Sequence, residues 1–128
     1  MNSRSFRKGD ILFSTHRDLR RGYHPIVYFE PIPCSNREFI GAMITHSNSN
    51  GNIALSDNYF LDEDNNGNPY QVTFDNNYLV PAKLIKFEDW GLFTKVGELS
   101  QEGIEFFDNV IGNLSEETFA NYYGRTRN

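Results

Sequence analysis

Gly22-Tyr23-His24-Pro25-Ile26-Val27-Tyr28-Phe29 and, further on, Phe39-Ile40-Gly41-Ala42-Met43-Ile44-Thr45-His46-Ser47 are the two stretches that decide how this chain folds. Each joins a run of β-branched, aromatic and other apolar residues to a polar group able to exchange protons or bind phosphate. In the first the polar group precedes the strand, and in the second it follows. An antiparallel pairing lays the start of one strand beside the end of the other, which predicts that His24 comes close to Thr45 and His46.

Working outward, Gly9-Asp10 reads as a turn feeding a first strand, Ile11-Leu12-Phe13. Residues 15–23 have no clear period and carry four charges, so they read as a surface loop. The second strand runs from Pro25 to about Glu30 and is ended by Pro31 and Pro33; the third runs from Glu38 to Thr45, with Gly41 permitting a bend or a close backbone approach. Ser47-Asn48-Ser49-Asn50-Gly51-Asn52 is turn chemistry. Ile53-Ala54-Leu55, Tyr59-Phe60-Leu61, Gln71-Val72-Thr73-Phe74 and Tyr78-Leu79-Val80 are short strand candidates, Ala82 to Phe87 alternates less cleanly, and Trp90 to Leu99 reads as a hairpin or a turn plus a strand. Frequent turns between short strands predict a curled antiparallel sheet rather than βαβ units. Ser100 then caps a helix from about Gln101 to Val110, with Ile104, Phe107 and Ile111 along one stripe and Gly112-Asn113 as its stop. A second short helix is expected to start at Ser115-Glu116-Glu117 and to carry Phe119, Tyr122 and Tyr123, with the residues from Gly124 onward fraying.

The 128 residues suit a single domain, a barrel over about 8–99 and a helical part over about 100–123. With 11 Phe and 7 Tyr, a few large side chains supply most of the burial, and the core is expected to be aromatic. The net charge of −5 opposes broad attraction to nucleic acid, but residues 1–38 hold seven basic against four acidic side chains, leaving −8 for the rest. A basic face on an acidic body fits contact with a few phosphates or with an acidic partner; a solvated surface is the plainer alternative. No apolar run follows the basic start, no segment approaches membrane-spanning length, and the one cysteine, Cys34, lies in a Pro-rich turn. A cytoplasmic protein without a membrane segment, and with Cys34 as an ordinary loop residue, is the expectation.

The same residues resemble the MazF/PemK/Kid family of toxin endoribonucleases over roughly residues 8–111. Gly9-Asp10-Ile11-Leu12 is similar to the family's opening strand, Gly22-Tyr23-His24-Pro25-Ile26-Val27 to its Gly-x-Arg-Pro-x-Val segment, Thr45-His46-Ser47 to the Thr-rich end of its third strand, and Lys95-Val96-Gly97-Glu98-Leu99 to the stretch leading into its last helix. One position departs: His24 stands where the family keeps a catalytic arginine. The resemblance implies a small SH3-like antiparallel barrel, a homodimer, an antitoxin partner, and bacterial toxin-antitoxin biology. It also implies cleavage of single-stranded RNA by attack of a ribose 2′-hydroxyl on the adjacent phosphate, with no metal and no cofactor.

That reaction needs a base, an acid and donors or cations for the charge developing on phosphorus. Imidazole titrates near neutrality and can serve as either. The expected catalytic residues are His24 and His46 for proton transfer and Thr45 for holding a phosphate oxygen. Arg17, Arg20, Arg21, Tyr23 and Ser47 are the expected substrate contacts, an arginine supplying positive charge and Tyr23 a stacking face. His16 reads as a surface residue. A non-catalytic barrel of the same kind, binding protein or nucleic acid, is the alternative. Asp62-Glu63-Asp64-Asn65-Asn66-Gly67 matches the opening of a calcium loop, but Thr73 falls where a glutamate is needed, so an Asn-Gly hairpin is the expected structure there.

Overall fold

The computed structural model describes residues 6–14, 25–33, 38–49, 51–72, 74, 76–87 and 93–126. Its elements in order are β1 (Asp10–Ser14), β2 (Ile26–Pro31), β3 (Glu38–Thr45), β4 (Ile53–Ala54), a 3-10 turn (Asp57–Tyr59), β5 (Tyr78–Leu79), β6 (Lys83–Phe87), β7 (Phe93–Glu98), α1 (Gln101–Ile111), β8 (Glu116–Glu117) and α2 (Phe119–Thr126). The eight strands form one mainly antiparallel sheet in the order β4-β5-β3-β2-β1-β7, with β6 also on β3 and β8 lying parallel to β6.

β3 organises the sheet. One edge pairs with β2; the other gives its first half to β6, from Glu38↔Phe87 to Gly41↔Leu84, and its last two residues to β5, Ile44↔Leu79 and Thr45↔Tyr78. Its run Phe39-Ile40-Gly41-Ala42-Met43-Ile44 is apolar without alternation, the pattern of a strand covered on both faces. Both faces are indeed buried. Val27, Phe29, Ile40, Ala42 and Ile44 meet Phe107 and Ile111 of α1 in one cluster, whereas Ile26, Phe39, Met43 and Leu84 meet Tyr122 of α2 in the other. Neighbouring residues point to opposite faces of a strand, so α1 and α2 lie on opposite sides of the sheet. Gly41 is required by close packing, since a Cβ there would stand 2.7 Å from Ile26 Cγ2 and 3.1 Å from the Val27 carbonyl oxygen.

Bulges between Ile11 and Leu12 and at Phe29 shift the register and bend the sheet. The ladder nevertheless ends at β4 on one side and β7 on the other, so among the described residues the sheet is curled but not closed. No helix among the described residues is long and apolar enough to cross a membrane.

Several expected elements differ. Tyr59-Phe60-Leu61 is not a strand: the Ser56 hydroxyl accepts from Asn58 N (3.2 Å), local bonding that favours the 3-10 turn, and Phe60 makes only an isolated bridge to Leu99. Gln71, Val72 and Phe74 also lie outside the ladder; Phe74 instead stacks on Phe60 at 5.0 Å. Glu116 and Glu117 do not begin a helix but pair with Lys83 and Leu84, and α2 starts after Thr118, whose hydroxyl accepts from Asn121 N (3.1 Å). α2 extends to Thr126, beyond the expected fraying point, where Arg125 donates to both oxygens of Glu117 from one guanidinium edge (Nε–Oε1 2.9 Å, Nη2–Oε2 2.6 Å). Around Asp64 the chain closes a short hairpin, with a bridge from Glu63 to Pro69 and Asp64 Oδ1 accepting from Asn66 N and Asn68 N. Those two bonds hold the Asp64 carboxyl below the usual carboxylate range. Among the described residues no three His, Cys, Asp or Glu side chains are grouped to hold a metal ion.

Candidate active site

The expected antiparallel pairing of the second and third strands is present, with Val27 opposite Ala42 and Ile26 opposite Met43. It continues to Pro25, whose carbonyl accepts from Ile44 N at 3.0 Å. Pro25 is thus bonded to the residue immediately before Thr45. His24, Tyr23, Arg21, Arg20 and Arg17, like His16 and Cys34, lie outside the described residues.

Three predicted site residues follow one another where β3 ends. Thr45 is 9% exposed, and its Oγ1 accepts from Ser47 N at 3.2 Å, a side-chain-to-backbone turn that reverses the chain after the strand. A hydroxyl oxygen that accepts one bond can also donate its proton to another. His46 is exposed, with Nδ1 3.3 Å from the carbonyl oxygen of Asn76. Ser47 is exposed as well; its Oγ lies 2.6 Å from Ser49 Oγ and accepts from Ser49 N, while its carbonyl accepts from Asn52 Nδ2 at 2.9 Å. The result is a hydroxyl, an imidazole and a second hydroxyl on consecutive residues, the hydroxyls held by local bonds and the imidazole by Asn76.

Asn76 is a site neighbour that the sequence reading did not single out. It is the only described non-glycine residue with positive φ, 54°, a conformation asparagine tolerates better than most side chains. The Asn76-Asn77 pair immediately before a strand was the available signal, since asparagine marks turns of this kind.

A second polar group lies where β1 meets β7. Asp10, 5% exposed, accepts from Arg7 N (2.8 Å) and pairs with Lys95 (3.2 Å); Lys95 also reaches Glu98 (3.5 Å), and the Tyr70 hydroxyl donates to Glu98. Burial, then the bond to Glu98, pushes the Tyr70 phenol far above its usual range, so it stays a donor. Tyr70 also lines a cleft of about 200 Å³ with Asp57, Phe60, Leu61, Asp62, Val72 and Phe74, none of them a predicted site residue. The titratable groups of this cleft are carboxylates and a phenol held protonated.

No protein-family model, curated protein or solved structure matches the chain.

Proposed function

We propose that this chain is a toxin-like, metal-independent endoribonuclease that cleaves single-stranded RNA, with a fold of the MazF/PemK/Kid kind in which the curled sheet is a partly open SH3-like barrel. The carrying observation is the β2–β3 register. The bond from Ile44 N to the Pro25 carbonyl joins the strand that follows Gly22-Tyr23-His24 to the strand that ends in Thr45-His46-Ser47. The start of β2 and the end of β3 therefore lie side by side at one end of the ladder, which supports reading the two motifs together.

In this reading one imidazole, His24 or His46, takes the proton from a ribose 2′-hydroxyl as its oxygen attacks phosphorus. The bond from phosphorus to the 5′-oxygen breaks, and the other imidazole delivers a proton to that leaving oxygen. The products are a 2′,3′-cyclic phosphate and a 5′-hydroxyl. Thr45 donates its hydroxyl proton to a non-bridging oxygen, and Ser47 offers a second donor. Arg20 or Arg21 supplies the positive charge that the family's arginine would have carried at position 24, Arg17 is a further substrate contact, and Tyr23 stacks on a base. The chain acts in the cytoplasm as a homodimer, and a cognate antitoxin covers the basic segment.

The burial of Thr45 favours a second reading, because a threonine hydroxyl already engaged with Ser47 N is what a structural turn needs. That reading is a non-catalytic module of the same fold that binds RNA or protein. The test is cleavage of single-stranded RNA in EDTA by the full chain and by His24→Ala, His46→Ala and Thr45→Val. An enzyme cuts, and each histidine variant is slower by about 100-fold. Binding without any cleavage by the wild type would replace the first reading with the second.

A further inference from the structure

We infer that Asn76 is the positioning residue of His46: its main-chain carbonyl keeps a proton on Nδ1 and leaves Nε2 as the nitrogen that exchanges protons. The inference rests on the reading of His46 as an acid–base group. Its geometric basis is the 3.3 Å approach of Nδ1 to the Asn76 oxygen across 30 residues of sequence. A carbonyl oxygen only accepts, so this bond requires hydrogen on Nδ1. The neutral ring is then the Nδ1–H form, with a bare Nε2 facing away from its anchor. When Nε2 takes a proton the Nδ1–H bond persists, so the ring can serve as either the base or the acid without turning.

The placement of both partners follows from the sheet. β3 and β5 pair through Ile44↔Leu79 and Thr45↔Tyr78. His46 leaves β3 one residue beyond that pairing, and Asn76 enters β5 two residues before it. Asn77, between Asn76 and the strand, is buried, so the backbone cannot drift outward there. The left-handed φ of 54° at Asn76 sets the direction of the turn into β5. His46 itself is exposed, so packing does little to hold the ring and the hydrogen bond is its restraint.

The test is imidazole ¹⁵N NMR on the histidine-labelled full chain, above the pH range in which histidines titrate. His46 is expected to show a protonated Nδ1 and a bare Nε2. Asn76→Gly, which accepts positive φ freely, should keep that pattern. Asn76→Val, strained at positive φ, should give a tautomer mixture together with cleavage slowed by about tenfold. A wild-type ring protonated at Nε2, or a tautomer unchanged in Asn76→Val, would overturn the inference, and the wild-type spectrum decides it even if that variant does not fold. An Nδ1–H ring in a protein that cuts no RNA would instead sink the endoribonuclease reading and leave the Asn76 anchor standing.

Discussion

Gly103 is where a single methyl group would do most damage. Its α-carbon packs directly on the main chain of the 3-10 turn, and an added Cβ would overlap the Tyr59 carbonyl, which is backbone and cannot rotate away. Gly103→Ala should therefore cost about 2–3 kcal/mol in urea denaturation, although alanine is the better helix former. His46 is the opposite case. It is exposed at a strand end, so His46→Ala should change stability by less than about 0.5 kcal/mol while lowering cleavage by about 100-fold, a split that a structural histidine would not give. Both residues show what one sequence can and cannot disclose. The place of His46 is legible because it directly follows an obvious strand, which ends at Thr45. Its anchor was not legible, because the bond comes from a backbone carbonyl, which any residue carries.

The elements that were legible are those whose signals are local. β1, β2, β3 and α1 follow from apolar runs bounded by turn residues and from a capped helical stripe. Ser100 is the clearest instance: its Oγ accepts from Gly103 N at 3.1 Å and donates to the Asn58 carbonyl at 2.7 Å, tying α1 to the 3-10 turn as well as capping it. Ser100→Ala should lose about 1–2 kcal/mol, measured as a lower urea midpoint with an unchanged slope. Elements set by tertiary need were misread. Ser115-Glu116-Glu117 has the residues of a helix start, yet β6 offers an edge at Lys83 and Leu84, and pairing with it takes Glu116 and Glu117 into the sheet. Tyr59-Phe60-Leu61 has strand-forming residues, but the adjacent serine, aspartate and asparagine satisfy the backbone locally first.

For the molecule as a whole, burial on both faces of the sheet carries one evident cost. Lys86 on β6 is 0% exposed, beneath Phe119 of α2 at 5.6 Å, and burial pushes its ammonium pKa down to about 7. Because the folded value lies below the unfolded one, the unfolded chain binds more protons across the interval between them. Stability therefore rises with pH from about 7 upward, and below that the folded protein carries the buried charge in full. Lys86→Met should stabilise the protein by about 1–3 kcal/mol near pH 6 and flatten the rise in urea midpoint between about pH 7 and pH 9. A rise that persists in Lys86→Met would assign the slope to other groups.

The proposed chemistry is tested most directly by mass spectrometry of the ends produced when the full chain meets single-stranded RNA in EDTA. Attack by the 2′-hydroxyl yields fragments ending in 2′,3′-cyclic phosphate, each matched by a 5′-hydroxyl fragment, and His46→Ala should leave almost none. RNA that stays intact with the wild-type chain in excess, or fragments bearing 5′-phosphates and 3′-hydroxyls, would contradict it.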